Sequence, residues 1–107
     1  MTQKELHEMK KRLEKYAATI MHTKQPEYTN QNQDVLINFK QTAENLGLEP
    51  LEVWAVFFHK HVQSILTHCH NPGMNQAEPI ESRFADALNY IYLGYGLLHD
   101  CKYESGK

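Results

Sequence analysis

The chain has little of what would mark a secreted, membrane-spanning or nucleic-acid-coating protein. Two cysteines in 107 residues cannot make a disulfide framework. Cys69 and Cys101 fall near the ends of successive predicted helices. Packed antiparallel, those ends stand roughly 25–30 Å apart at 1.5 Å rise per residue, so free thiols are expected. The longest apolar run, Leu88 to Leu98, is too short to span a bilayer, and the charged start MTQKELHEMKKR is no secretory signal. A cytoplasmic protein without a membrane partner is expected. A formal charge of only −2 argues against DNA as a partner, as does the lack of a helix-turn-helix pattern. Strand-like alternation, internal repeats and low-complexity tracts are all missing from the sequence.

What is present is helical periodicity. Leu6, Met9, Leu13, Tyr16 and Ile20 predict a helix over about 2–23 whose narrow stripe suits the outside of a bundle or pairing with a second chain. Residues 24–33, KQPEYTNQNQ, have the composition of a loop. Asp34 suits an N-cap for a helix over 34–46, with Val35, Leu36, Phe39, Ala43 and Leu46 as its buried stripe and Gly47 as its stop. A third helix, about 50–67, starts at Pro50 and is apolar nearly all round, as suits a central helix. HCHNPGMNQAE reads as the connector. The fourth helix, about 79–100, carries Ile80, Phe84, Leu88, Ile91, Tyr95 and Leu98 on one stripe. Asp86, Asn89, Tyr90, Leu93 and Leu97 lie opposite. Both faces are mostly apolar. The expectation is one all-α domain over residues 1–107, a four-helix bundle. More apolar surface is present than one small bundle can bury, so a homo-oligomer is expected as well.

The chemistry-bearing candidates are few. His68, Cys69 and His70 are adjacent in sequence and cannot all address one ion. His61 falls on the Trp54, Phe58, Ile65 side of the third helix and Lys60 at its edge; a core-boundary histidine beside a snorkelling lysine, or a phosphate contact, would each fit. Glu49 with Glu52, and Glu78 with Glu81, suit first turns of helices, where acids answer the helix dipole. Asp86 sits mid-helix among apolar neighbours. It is either the partner of Arg83 or a ligand for magnesium or substrate, and Asp86, Glu81 and Glu78 would form a small acidic set sufficient for magnesium. Left without partners in a dry environment, Asp86 and Asn89 would cost roughly 1–3 kcal/mol each.

Three pieces together resemble a known pattern: the Tyr28 loop with Asn38-Phe39 after it; LEPLEVWAVFFHKHVQSI; and EPIESRFADALNY with Asp86-x-x-Asn89-Tyr90. Over residues 10–100 they resemble phage and prophage proteins of the nucleotide-modification-associated domain, itself similar to the MazG-like all-α nucleoside triphosphate pyrophosphohydrolases. The resemblance implies a MazG-like bundle that binds a nucleoside triphosphate and hydrolyses it with magnesium. Asp86 and Glu81 would act in catalysis, with Lys60, His61, Arg83, Asn89, Asn38 and Tyr28 against the substrate. The sequence departs from the family's E-E-x-x-E and E-x-x-D helices: Arg83 stands where the acid three residues before Asp86 is wanted, and no doubled acid stands upstream. That departure suits the alternative, a helical module that binds a host or phage protein.

Overall fold

The computed structural model describes residues 1–29, 34–73 and 78–104, and their side chains except those of 25–29 and 101–104. Four helices follow one another: α1 (Gln3–Thr29), α2 (Ile37–Leu46), α3 (Pro50–His70) and α4 (Ile80–Glu104). Among the described residues there is no strand, and no helix is long and apolar enough to cross a membrane. The fold is all-α.

Local chemistry sets the helix ends. Thr2 and Glu5 cap α1 reciprocally, Thr2 Oγ1 accepting from Glu5 N at 3.1 Å and Glu5 Oε2 from Thr2 N at 3.3 Å. α2 stops at Gly47, whose left-handed backbone (φ 69°) lets its N–H and that of Leu48 close on the last turn. Pro50 opens α3, and the Glu52 carboxylate accepts from Glu49 N at 2.8 Å. The Glu49–Glu52 pair is thus a cap.

Four boundaries differ from expectation, the simplest being that α4 runs to Glu104, past the expected end near 100. α1 runs on through Pro26 to Thr29, so residues 24–29 are helix; Lys24, Gln25 and Glu27 are good helix formers, and a proline near the helix end removes only one donor. α2 begins at Ile37, because Asp34 uses its carboxylate in a tight turn, accepting from Leu36 N at 2.9 Å. His68, Cys69 and His70 form the last turn of α3 and not a connector. Cys69 is exposed and free; the side chain of Cys101 lies outside the described residues, as do residues 30–33 of the expected loop and Met74.

The central position belongs to α4, with α3 and α1 against it and α2 against α3. α3 buries only Val53 and leaves Val56 and Phe57 exposed, so its apolar circumference does not make it the central helix. Small residues decide the matter. Ser82, Ala85, Ala87 and Gly94 are buried on α4 and let neighbours come close. At Gly94 the Trp54 indole lies where a Cβ would stand. That ring donates from Nε1 to the Tyr90 carbonyl at 2.7 Å and stacks on Phe58 at 5.0 Å. The core joins Leu36, Phe39 and Ala43 to Val53 and Leu97. Val35 and Leu46, expected in that stripe, are exposed.

The two faces of α4 divide sharply. Asn89 and Leu97 point inward, whereas Phe84, Ile91, Tyr95 and Leu98 of the long stripe are exposed. Lys40 fastens the open side of the core. Its ammonium reaches Asp34 at 2.8 Å and Asp100 at 3.4 Å, tying α2 to its own lead-in and to α4. The hydrogen bond from Lys40 is the main reason the Asp34 carboxyl is held below its ordinary value.

Candidate functional site

A cleft of about 380 Å3 opens between the four helices, within the size range of small-ligand sites. α1 supplies Ile20, Met21 and Lys24; α2 and its lead-in supply Val35, Asn38, Phe39 and Thr42. Phe57 and His61 come from α3, and Asp86, Asn89, Tyr90 and Leu93 from the inner face of α4. The helical period explains the last set, since 86, 89, 90 and 93 share one face at three- and four-residue steps. The walls are apolar, with polar groups converging from all four helices.

Each polar group has a distinct state. Asn89, 7% exposed, donates from Nδ2 to the Ala17 carbonyl at 2.9 Å and so pins α4 to α1. The Tyr90 ring meets Phe39 edge-on at 6.1 Å and His61 at 4.4 Å. Burial is the main cause holding the His61 imidazole below its ordinary value. The Asp86 carboxylate opposes that shift, and Arg83, Lys60 and Lys24 add to it. Asp86 is half-buried and, among the described residues, makes neither hydrogen bond nor ion pair. An acid thus faces an apolar-walled cleft with no hydrogen-bond or ion-pair partner among the described residues.

The structure therefore lines one cleft with Asp86, Asn89, His61 and Asn38 of the expected site and leaves Lys60, Glu81, Glu78 and Arg83 off it. Lys60 is exposed one residue away and does not line the cleft. Glu81 is exposed and stands apart, five residues before Asp86 and on another side of α4. Glu78 pairs with Arg83 at 3.5 Å and accepts from Ser82 Oγ at 3.3 Å. Arg83 thus answers Glu78 and not Asp86, while its buried Nε has no partner. No group of three or more His, Cys, Asp or Glu side chains among the described residues is placed to hold a metal ion. The expected set of Asp86, Glu81 and Glu78 does not converge. The side chain of Tyr28 lies outside the described residues.

Lys24 is the residue that sequence reasoning missed. The polar composition after Thr23 reads as loop, yet Lys24 follows Ile20 by four residues and so continues the inward face of α1. It gives the cleft a cation.

His61 makes the fold sensitive to acid. With its pKa lowered in the folded state and near 6.5 in the unfolded chain, the unfolded chain binds the proton first as pH falls. Stability is then full above about pH 6.5 and declines as pH drops toward the folded value. Melting temperatures measured from neutral to mildly acid pH should show this decline, and His61→Gln should flatten part of it.

Comparison with family models, with curated proteins and with solved structures gave no match to this chain. What can be said of its class rests on the fold and the cleft: an all-α protein with a ligand-sized, acid-bearing cleft between its helices.

Proposed function

We propose that the chain is a phage-type nucleotide-handling protein of MazG-like architecture that binds a nucleoside triphosphate in the cleft. Asp86 carries this reading. A half-buried carboxylate on an apolar-walled cleft, with no hydrogen bond or ion pair among the described residues, is placed to meet a ligand, because a few polar groups on such walls fix a ligand's orientation. Aromatic edges from Phe39, Phe57 and Tyr90 suit a base, and Asn38, Thr42 and His61 offer hydrogen bonds at the walls. Lys24 supplies positive charge for phosphate. A triphosphate brings more negative charge than one lysine offsets, and a magnesium ion on Asp86 would balance it. One or two carboxylates plus substrate phosphates suffice to bind magnesium, which when bound polarises a phosphoryl oxygen and orients water.

The second reading is a non-catalytic helical module that binds a host or phage protein. It is favoured by the engagement of Glu78 with Arg83 and the position of Glu81, which leave Asp86 without a companion acid. Calorimetric titration with a panel of nucleoside triphosphates, with and without magnesium, separates the two. Magnesium-dependent binding is expected, weakened at least tenfold in Asp86→Asn, since a hydrogen bond to a charged group contributes about 1.5–3 kcal/mol. The same variant should melt as the parent does, because Asp86 has no internal bond to lose. Silence across the panel, or equal affinity in Asp86→Asn, would overturn the nucleotide reading.

A further inference from the structure

Asn89 is only 7% exposed, and its amide is not free to turn. A backbone carbonyl can only accept, so the 2.9 Å bond to the Ala17 oxygen must come from Nδ2, and that fixes the position of Oδ1. Oδ1 takes no hydrogen bond among the described residues. Among those residues Arg83 Nε is the one sealed side-chain polar atom without a partner, so Asn89 Oδ1 opens on the cleft that its residue lines. Asp86, three residues earlier on the same face, is a second acceptor without an internal partner. Residues so spaced on a helix stand about 5–6 Å apart at Cβ. At this edge α4 presents two neighbouring acceptors, and whatever meets them must bring donors.

We propose that Asn89 reads the sugar: the nucleotide lies across the cleft with its ribose at the edge between α4 and α1, where Asn89 Oδ1 accepts from a ribose hydroxyl. The assignment rests on a nucleotide occupying the cleft and adds which way it lies and which group is selected. The rings turn the other way. Tyr90 meets Phe39 of α2 and His61 of α3, and Phe39 meets Phe57 of α3, so the surface for a base belongs to the α2 and α3 side. Asn89 is tied instead to α1, the helix that brings Lys24 to the cleft. Sugar and phosphate therefore fall together on the α1 side.

A ribose carries two vicinal hydroxyls, which suits two neighbouring acceptors. A carboxylate has about four lone-pair sites, so Asp86 can accept from one hydroxyl and still meet magnesium. The Asn89 acceptor is held in place, and a fixed acceptor discriminates. An analogue without the hydroxyl shuts water away from Oδ1 and gives it no donor in return. A polar site of this kind rejects the analogue that lacks its partner group far more strongly than an apolar pocket rejects a missing methylene. The amino groups of the bases are the other donors a nucleotide carries; were they the partner, affinity would follow the base and ignore the sugar.

Calorimetric titration of the full chain with the common ribonucleoside triphosphates, magnesium present, and with their 2′-deoxy and 3′-deoxy counterparts tests this. For a base that binds, loss of one of the two hydroxyls should weaken affinity about tenfold or more. In Asn89→Ala the ribose and deoxyribose forms should bind alike, whatever the absolute affinity. Should Asn89→Ala fail to fold for want of its tie to α1, the side-chain amide resonances of Asn89 in the wild-type chain give the same reading. They should shift with the ribonucleotide and much less with the deoxy form that binds weakly. Equal affinity for all three sugars would overturn the proposal and leave the nucleotide reading standing. So would affinity that follows the amino groups of the base alone. Failure of every triphosphate to bind would remove both.

Discussion

Phe39→Ala should cost about 3–5 kcal/mol, the range for deleting a buried phenylalanine ring. Against a total of about 5–15 kcal/mol for a domain of ordinary stability, that removes a third or more of the margin. The ring is 5% exposed and joins three helices. It meets Phe57 of α3 edge-on at 6.3 Å and Tyr90 of α4 at 6.1 Å, within the cluster that includes Leu36, Val53 and Leu97. Few large side chains share the load, since among the described residues Leu97 is the one large side chain that is fully buried, so little is at hand to collapse into the space. Urea unfolding followed by circular dichroism should show a much lower midpoint. Val56→Ala on the exposed side of α3 should stay within about 0.5 kcal/mol of the parent. Equal losses in the two variants would mean that the core does not lie between α2, α3 and α4.

The second large effect is expected at Gly94. Alanine in place of a helical glycine normally stabilises by about 1 kcal/mol. At Gly94 the sign reverses, because the added methyl would enter the Trp54 indole. The ring is not free to yield: it is held by the hydrogen bond to the Tyr90 carbonyl and by stacking on Phe58. Overpacking of this kind costs about 1–3 kcal/mol, enough to lower the melting temperature by several degrees. Gly96, two residues on, has open space at the same position. Gly96→Ala should therefore raise the melting temperature. Trp54 is the only tryptophan, so its fluorescence reports the same contact directly. A Gly94→Ala chain as stable as Gly96→Ala would contradict the close packing of α3 on α4.

The sequence told some of this plainly and some not at all. Helix starts and stops were legible where one residue type dictates backbone geometry, as Pro50 does for α3 and Gly47 for the end of α2. The inward placing of Asn89 followed from its position among apolar neighbours, and its partner, the Ala17 carbonyl on another helix, could not. Which side of α4 faces the core was illegible for a physical reason: both sides are apolar, and periodicity weighs large residues most. Packing instead favours the side where Ser82, Ala85 and Gly94 allow close approach, leaving the bulkier stripe outside. The cleft was half legible. Asp86, Asn89 and His61 stood out by chemistry and Asn38 only through the resemblance, and all four line the cleft. Lys24 lay hidden in a polar stretch with the composition of a loop, and Glu78 was claimed by Arg83 through a contact within the start of α4.

The claim on which the functional reading stands is that a nucleotide enters the cleft beside Asp86. Amide chemical shifts recorded while a magnesium nucleoside triphosphate is added locate its contacts residue by residue. The account predicts shifts concentrated at Lys24, Asn38, His61, Asp86 and Asn89, lost in Asp86→Asn. Shifts confined to the α1 arm or the outer face of α4, or none at all, would contradict it.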